Sequence, residues 1–486
     1  MNIYSHYPAL KTYDRGKDIV EAVFHIALGD IYSNLRLGSF GMIEKEQPLL
    51  FAGLDYHGPW TRDAAINVWN GAGLFLPEIS QRTLLSCLER NKQGELVIQG
   101  EYWDKMLWTI GAWNLYLYTG DCTFLKNAYQ AAVNTLLQLE DNEFSEVFNL
   151  FRGPAVYGDG VAAYPDLYSR TGEYTGAKSV STIGKWVEEN PDLTAEEGYG
   201  LPMHALSTNC MYYGVYKILP EMEKELGRKV HEEWNIKARN LKRAIKRHFW
   251  DEEEGTYRYL VDPHGNCDYQ EGMGLAYALI FGIADAEQTR QVLENAVVEP
   301  AGIPCVYPSF PRYREAGGYG RHSGVVWSHI QGFWAEAAAR YGNENRFTHE
   351  FEQLTQHAYR DRQFREIYHP KTGKPYGGLQ ESNEGGIREW ESTNRQTWGA
   401  TGYIRIILRG LLGMRFDTEG IRFEPFIPYQ FENFRLKHLR YRDAVLNISV
   451  KGSGNQIATF TINGQEQQPF LPAGSEGIQN IAIRLK

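Results

Sequence analysis

Cysteine is scarce in this chain. Five occur in 486 residues (Cys87, Cys122, Cys210, Cys267 and Cys305), an odd number, widely scattered and without a CxxC pair. That spacing excludes a disulfide framework and a zinc cluster, and points to reduced, mostly buried thiols in a cytoplasmic protein. Long apolar runs are missing too: no stretch approaches the roughly 18 to 20 uninterrupted apolar residues that a membrane span needs. The opening MNIYSHYPALKTYDRGKD has no basic segment followed by an apolar run, so it does not read as a signal peptide. Neither sign of charge dominates locally: 50 Lys and Arg stand against 60 Asp and Glu, a formal charge of −10, without long runs. A nucleic-acid binder carries a basic stripe, and none is visible. No GxxxxGKS/T, GxGxxG or GxSxG motif occurs, which argues against nucleotide and serine-hydrolase chemistry. His322 and His329 lie seven apart without a third ligand at metal spacing, so neither a metal nor a cofactor is expected.

Aromatic residues, in contrast, are abundant. The chain has 12 Trp, 31 Tyr and 22 Phe, 13% of its residues, and many stand beside Gly, Asp, Glu and Arg rather than inside apolar runs. Aromatic faces mixed with charged groups suit a polar ligand with apolar C–H faces, which describes a sugar ring. A large aromatic core would use the same residues.

From about residue 14 to 413 the apolar spacing is helical. Candidate helices begin near Asp14, Thr61, Pro77, Asp104, Cys122, Met203, Pro220, Gln270, Asp285, Gly324, Asn343 and Asn394. Segment 324–341 shows the logic: Val326, Ile330, Phe333 and Ala337 recur on one face, Glu336 and Arg340 can pair at i, i+4, and Gly342 can cap the end. About twelve helices without a fixed repeat fit six helical hairpins closed into an (α/α)6 barrel; a solenoid would betray a period of about 33 to 47 residues. Segments 142–202, 297–323 and 360–393 are long, aperiodic and rich in Gly, Pro and Tyr, the profile of functional loops. After Gly413 the period changes: Leu446, Ile448 and Val450, then Ala458, Phe460 and Ile462, alternate with polar residues, with turn signals at Gly452–Gly454 and Asn463-Gly464. The expected fold is mainly α, a barrel over 1–413 with a small antiparallel β module over 414–486.

Three constellations carry candidate chemistry. In Asp55–Asp63, Trp60 can stack on a sugar while Arg62 and Asp63 grip hydroxyls, although Thr61 and Asp63 also suit a helix start. In Arg152–Gly160, Asp159 stands between two glycines that let backbone approach a ligand, and desolvation by Tyr157 and Tyr164 would raise its pKa as a general acid requires. A turn aspartate bonding its own backbone is the competing explanation. In Phe364–Gly373, Glu366 lies between Arg365 and His369, which would keep it ionised as a general base; a surface salt bridge explains the same pattern. The dense run that follows offers Glu381, Glu384, Glu389 and Glu391 as further ligands or substitute bases, with Trp390 and Trp398 among them. Weaker signals are Tyr102-Trp103-Asp104, Asn209 with Tyr212 and Tyr213, and Arg321-His322 with Trp327 and His329.

The order of these motifs resembles the inverting (α/α)6-barrel glycosidases around glycoside hydrolase family 63, which include processing α-glucosidase I, mannosylglycerate hydrolase and the related trehalases. The likeness runs over about residues 50 to 410: Pro59–Asp63, Gly158–Pro165, Ser207–Tyr213, Phe249-Trp250-Asp251 before Gly255–Tyr259, Val326-Trp327-Ser328 with Trp334, Glu366–Pro370 with Thr372-Gly373, and Thr397–Ala400. The resemblance implies an exo-acting inverting hydrolase with a carbohydrate substrate, α-glucosidase-like, with Asp159 as general acid and Glu366 as general base. Trp60, Arg62, Asp63, Tyr157, Trp327, Glu389 and Trp398 would bind the sugar, and no cofactor is implied. A β module of this kind is more like those of other (α/α)6 glycosidases and phosphorylases. The competing readings are a sugar epimerase or isomerase on the same barrel, with His204 and His322 as acid and base, and a non-catalytic carbohydrate-binding protein.

Overall fold

A computed structural model describes residues 7–13, 18–169, 182–186, 201–382 and 386–486. Its helical part has two kinds of helix. Every residue of helices Thr61–Asn67, Gly272–Ile280 and Thr397–Arg405 is buried, and so is Ser328–Ala339 of helix Ser328–Arg340. Gly272–Ile280 is apolar on all sides and belongs inside, whereas Thr61–Asn67 and Ser328–Arg340 take charged side chains in with them, which then need partners. Helices such as Glu232–Phe249 bury only one stripe, Trp234, Ala238, Leu241, Ile245 and Phe249, and face water with the rest.

The inner helices pack in order. Thr61–Asn67 lies against Tyr102–Thr119, which lies against Leu206–Glu225; next come Gly272–Ile280, Ser328–Arg340 and Thr397–Arg405, and the last packs back on Thr61–Asn67. Outer helices cover them: Asp18–Ser33 on Thr397–Arg405, Cys122–Glu143 on Tyr102–Thr119, Glu232–Phe249 on Leu206–Glu225, and Glu344–Asp361 on Ser328–Arg340. Small residues set the closeness of the inner contacts. A Cβ on Gly332 would lie 2.7 Å from the Gly402 carbonyl oxygen, and one on Gly111 would lie 2.8 Å from the Ala65 Cα.

Helix starts follow local chemistry. Asp121 caps Cys122–Glu143 by accepting from the Thr123 and Phe124 N–H groups at 2.9 and 3.0 Å, Asp285 opens Ala286–Asn295 with a capping box, and Asn343 caps Glu344–Asp361. One expected start is wrong: Pro220 lies inside helix Leu206–Glu225. Its ring fixes a φ that a helix accepts, so the helix continues past it with one hydrogen bond fewer, and the break falls at Gly227 with φ 63°.

The C-terminal module begins at strand Met414–Phe416, which pairs with Gly420–Phe423 and through it with Phe470–Pro472. The larger sheet has six strands, and its first is N-terminal: Ala9–Thr12 pairs with Asn433–Tyr441. The sheet is not wholly antiparallel as expected, because Ala444–Lys451 runs parallel to Gly477–Leu485. The crossover from one to the other passes through Ile457–Ile462, which lies on the far side of Gly477–Leu485, so alternation within each strand gave no sign of it. The Asn463-Gly464 turn closes the hairpin to Gln465–Glu466 with both residues at positive φ (52° and 81°).

The helical part is tied to the module by a buried charge cluster. Glu336 on an inner helix pairs with Arg405 at 2.5 Å, Arg340 at 2.5 Å and Arg415 of the first module strand at 3.8 Å, and Arg405 also reaches the side-chain oxygen of Asn70 at 2.9 Å. Glu336→Gln keeps the shape and removes the charge, leaving Arg405 buried without its anion; the expected loss is about 3–5 kcal/mol in chemical denaturation. Arg290→Ala, which breaks only exposed pairs with Glu287 and Glu294, is expected to leave the transition midpoint unchanged.

Candidate active site

The N-terminal ends of inner helices converge on one cavity of about 470 Å³. Arg62 and Asp63 stand in the first turn of Thr61–Asn67, Asp104 in that of Tyr102–Thr119, and Trp398 in that of Thr397–Arg405, while Trp327 immediately precedes Ser328–Arg340. Helix N-termini carry partial positive charge, which favours carboxylates gathered above them. The long connections supply the rest: Asp159, Arg321 with His322, and Glu366, Gln380 and Trp390.

Glu366 is buried, 1% exposed, just before the two-residue strand Ile367–Tyr368, which pairs with Val326–Trp327. Its Oε1 accepts from the Tyr56 hydroxyl at 2.7 Å; its Oε2 accepts from Arg321 Nη2 at 2.7 Å and from Thr393 Oγ1 at 3.1 Å. The sequence neighbours expected to serve it do not. Arg365 bonds Asn394, and His369 packs edge-on against Tyr319 at 5.2 Å. Arg365 is instead drawn to Asn394 and to the Ser392 carbonyl.

Asp159 opens to the cavity with its side chain 46% exposed. Arg62 Nη2 lies 3.5 Å from Oδ2, and His322 Nε2 lies 3.4 Å from Oδ1. Desolvation pushes its carboxyl up, but Arg62, His322 and Arg321 together outweigh it and hold Asp159 well below the ordinary carboxylate range. The expected upward shift is therefore reversed in the open cavity. The tyrosines meant to produce it are engaged elsewhere: the Tyr164 hydroxyl donates to the Gly158 carbonyl at 2.6 Å and accepts from the Ala155 N–H at 3.0 Å, and Tyr157 is fully buried.

Arg62 organises the opposite wall. It donates to the Val156 carbonyl at 2.9 Å, stands 3.7 Å from Asp104 and faces the Trp398 ring at 5.8 Å. Burial raises Asp104 to about 8, with Arg62 opposing and Asp159 and Glu101 adding to the shift. Burial likewise drives Asp63 well above its ordinary value. Protonated carboxyls in a cavity can donate to sugar hydroxyls as well as accept from them.

Seven of the nine sequence-derived site residues line this cavity: Trp60, Arg62, Asp63, Asp159, Trp327, Glu366 and Trp398. Two do not. Tyr157 stands behind the wall, its ring 6.0 Å from Trp327 and 6.2 Å from His322, because the loop turns it inward onto the core. Glu389 is exposed at the end of a short hairpin, opposite Leu379, and its neighbour Trp390 reaches the cavity instead. Among the substitute bases, Glu381 is tied to Arg312 Nε at 2.8 Å and Tyr313 at 2.7 Å, Glu391 is exposed, and Glu384 lies outside the described residues. The histidine pair of the epimerase reading is not brought together: His322 lines the cavity, whereas His204 is buried against Phe148 at 4.7 Å. Tyr56, Asp104, Arg321 and Trp390 complete the site and are visible in sequence only as members of aromatic and charged clusters.

Carboxyls, arginines and tryptophans gathered over inner helix ends accord with the class to which the family match assigns the chain, the carbohydrate-active enzymes. The chain belongs to the mannosylglycerate hydrolase MGH1-like glycoside hydrolase family, whose model matches residues 60–398. Residues 414–467 match the C-terminal domain of glycosyl hydrolase family 65. An N,N'-diacetylchitobiose phosphorylase of Vibrio proteolyticus is 23% identical over 276 residues, 51% of this chain and 33% of that protein, so the match spans well under two thirds of the relative. Solved structures share the fold: a sialidase (TM-score 0.66, 14% identity, 97% of this chain and 40% of that one), the family 78 rhamnosidase of Bacillus sp. GL1 (0.61, 12%, 99% and 44%), and the family 63 mannosylglycerate hydrolase of Thermus thermophilus in complex with glucose (0.56, 14%, 79% and 99%).

The buried carboxyls make stability depend on pH in a definite sense. Asp104 and Glu271 are raised to about 8 and Asp30 to about 7, in each case chiefly by burial. The native state then holds protons that the unfolded chain has released, so their contribution is fully present below about pH 4 and is lost as pH rises through 7 to 8. Calorimetry is expected to show Tm falling between about pH 5 and about pH 8.5, and Asp104→Asn to flatten that fall.

Proposed function

We propose that this chain is an exo-acting inverting glycoside hydrolase, α-glucosidase-like, that removes a terminal sugar from an oligosaccharide or small glycoside. Its helices form an (α/α)6 barrel over 1–413, a reading favoured by the cyclic packing of the inner helices. Residues 414–486 form an appended β module, completed by strand Ala9–Thr12. The observation that carries the proposal is the meeting of Asp159 and Glu366, distant in sequence, in one cavity, each beside its own arginine.

Asp159 is the general acid. It protonates the departing glycosidic oxygen while Glu366, oriented by Tyr56, Arg321 and Thr393, takes a proton from a water attacking the opposite face of the sugar. Inversion needs the two carboxyls roughly 6.5 to 9.5 Å apart to admit that water. Arg62, Asp63, Trp327 and Trp398 hold the terminal sugar. In the open cavity Asp159 is an anion; a bound sugar strips water from its half-exposed side chain and offers hydroxyls to Arg62, and both changes raise its proton affinity. The alkaline limb of kcat, which reports the complex, is therefore expected above that of kcat/KM, which reports the free enzyme. Coincident limbs contradict this role for Asp159.

Asp159→Asn and Glu366→Gln are each expected to lower kcat by at least about a hundredfold with sugar binding retained; Asp159→Asn leaves Tm near wild type, whereas Glu366→Gln also lowers it, because buried Arg321 loses its carboxylate partner. Near-normal turnover by either variant removes that residue from the mechanism, and loss in Asp104→Asn in its place moves the acid to Asp104. The family 65 C-terminal match and the phosphorylase relative favour one second reading, phosphorolysis. Proton NMR separates the two: initial release of the inverted free sugar without phosphate supports hydrolysis, and phosphate-dependent release of a sugar 1-phosphate supports the phosphorylase.

A further inference from the structure

Of the chain's 12 tryptophans only Trp60 and Trp390 are exposed, 60% and 44%, and both line the active-site cavity. Depth sorts the aromatic groups there. Trp327 and Trp398 are 2% and 3% exposed, their rings 5.7 Å apart and steeply inclined, with His329 stacked under Trp398 at 4.1 Å. The Arg321 guanidinium separates the levels: it lies 5.5 Å from the Trp327 ring and 5.8 Å from the Trp390 ring. Exposed Trp390 and buried Trp327 thus both lie close to the arginine that holds Glu366.

The backbone that carries both outer rings is held in place. Trp60 has φ 52°, a left-handed backbone rarely adopted by a bulky residue, and its carbonyl accepts from the Ala64 N–H at 2.9 Å, so the helix start fixes it. Such an outlier at a cavity points to a functional constraint. The Trp390 N–H donates to the Gly378 carbonyl at 2.9 Å, and the adjoining chain is so close that a Cβ on Gly377 would lie 1.9 Å from the Trp390 oxygen. Both indole faces stand at the mouth of a polar cavity, where a bound ligand would cover them.

We propose that Trp60 and Trp390 form the platform for the leaving group, and that this group is a second sugar ring rather than a small acid such as glycerate. The inference rests on the glycosidase reading above and names its substrate class: a disaccharide or longer glycan. Pyranose rings stack their C–H faces on indole. A free carboxylate, in contrast, finds no unpaired cation among the described residues of the cavity: Arg62 is engaged by Asp159 and Asp104, and Arg321 by Glu366. Carboxyls outnumber arginines in the lining, and the mouth itself carries Glu101.

The test compares two substrates with the same terminal sugar, a disaccharide and the corresponding α-glycosyl fluoride, whose leaving atom cannot reach the platform. Trp60→Ala and Trp390→Ala are expected to lower the ratio of kcat/KM for disaccharide over fluoride tenfold or more, with Trp390→Phe restoring most of it. An unchanged ratio overturns the proposal, as does faster turnover of a glycosyl glycerate than of every disaccharide. Failure of the glycosidase reading is read separately: if the wild type turns over neither substrate, intrinsic fluorescence titration with disaccharide and monosaccharide decides. Tighter binding of the disaccharide that is lost in Trp390→Ala supports the platform, and equal affinity for the two sugars overturns it.

Discussion

Two guanidinium groups taken out of water determine where everything else in the site must stand. A buried arginine is tolerated only when anions and carbonyl oxygens replace its lost hydration. Arg62 obtains them from Asp159 and the Val156 carbonyl of one loop and from the Asp104 carboxyl of a helix, and Arg321 from Glu366 and the Gly377 carbonyl. Each arginine also lies over an indole face, Trp398 for Arg62 and Trp327 for Arg321. Asp159 and Glu366, the carboxyls proposed for the chemistry, are thus pinned by the same charges that would be costly to bury alone, and the aromatic walls are part of the same packing.

This pinning sorts the carboxyls into two populations. Asp159 is kept ionised by Arg62 and His322, whereas Asp63 and Asp104, deeper beside the same arginine, are pushed up by burial. One cationic group serves several acids and cannot neutralise all of them, so the excess is carried as protons. The fold supplies the frame for this crowding. Fully buried inner helices, drawn close at Gly111 and Gly332, present their N-terminal turns to the cavity, while the long connections cross above them.

How much of this could be read from the sequence follows from the range of each interaction. Helix positions were legible because caps and apolar periodicity are local: Asp121, Asp285 and Asn343 open helices as their side chains dictate. Motif order singles out Asp159, Glu366, Arg62 and both buried tryptophans, and the fold brings them to one cavity. Their partners were not, since the group that holds Glu366 is Arg321 from another loop and not the adjacent Arg365. The pKa of Asp159 was misjudged for the same reason: the flanking tyrosines are visible in sequence, but Arg62 and His322 arrive through the fold. The N-terminal strand Ala9–Thr12 and the parallel pair in the β module depend on pairing across the chain, which alternation within a strand does not encode.

The most direct measurement is a crystal structure of the Glu366→Gln protein with an intact disaccharide bound. The glycosidic oxygen should lie within hydrogen-bonding reach of Asp159, with one ordered water held by the side chain at 366 against the opposite face of the terminal ring. A sugar whose scissile oxygen lies far from Asp159, or a ring that presents the same face to both residues, would contradict the proposed chemistry.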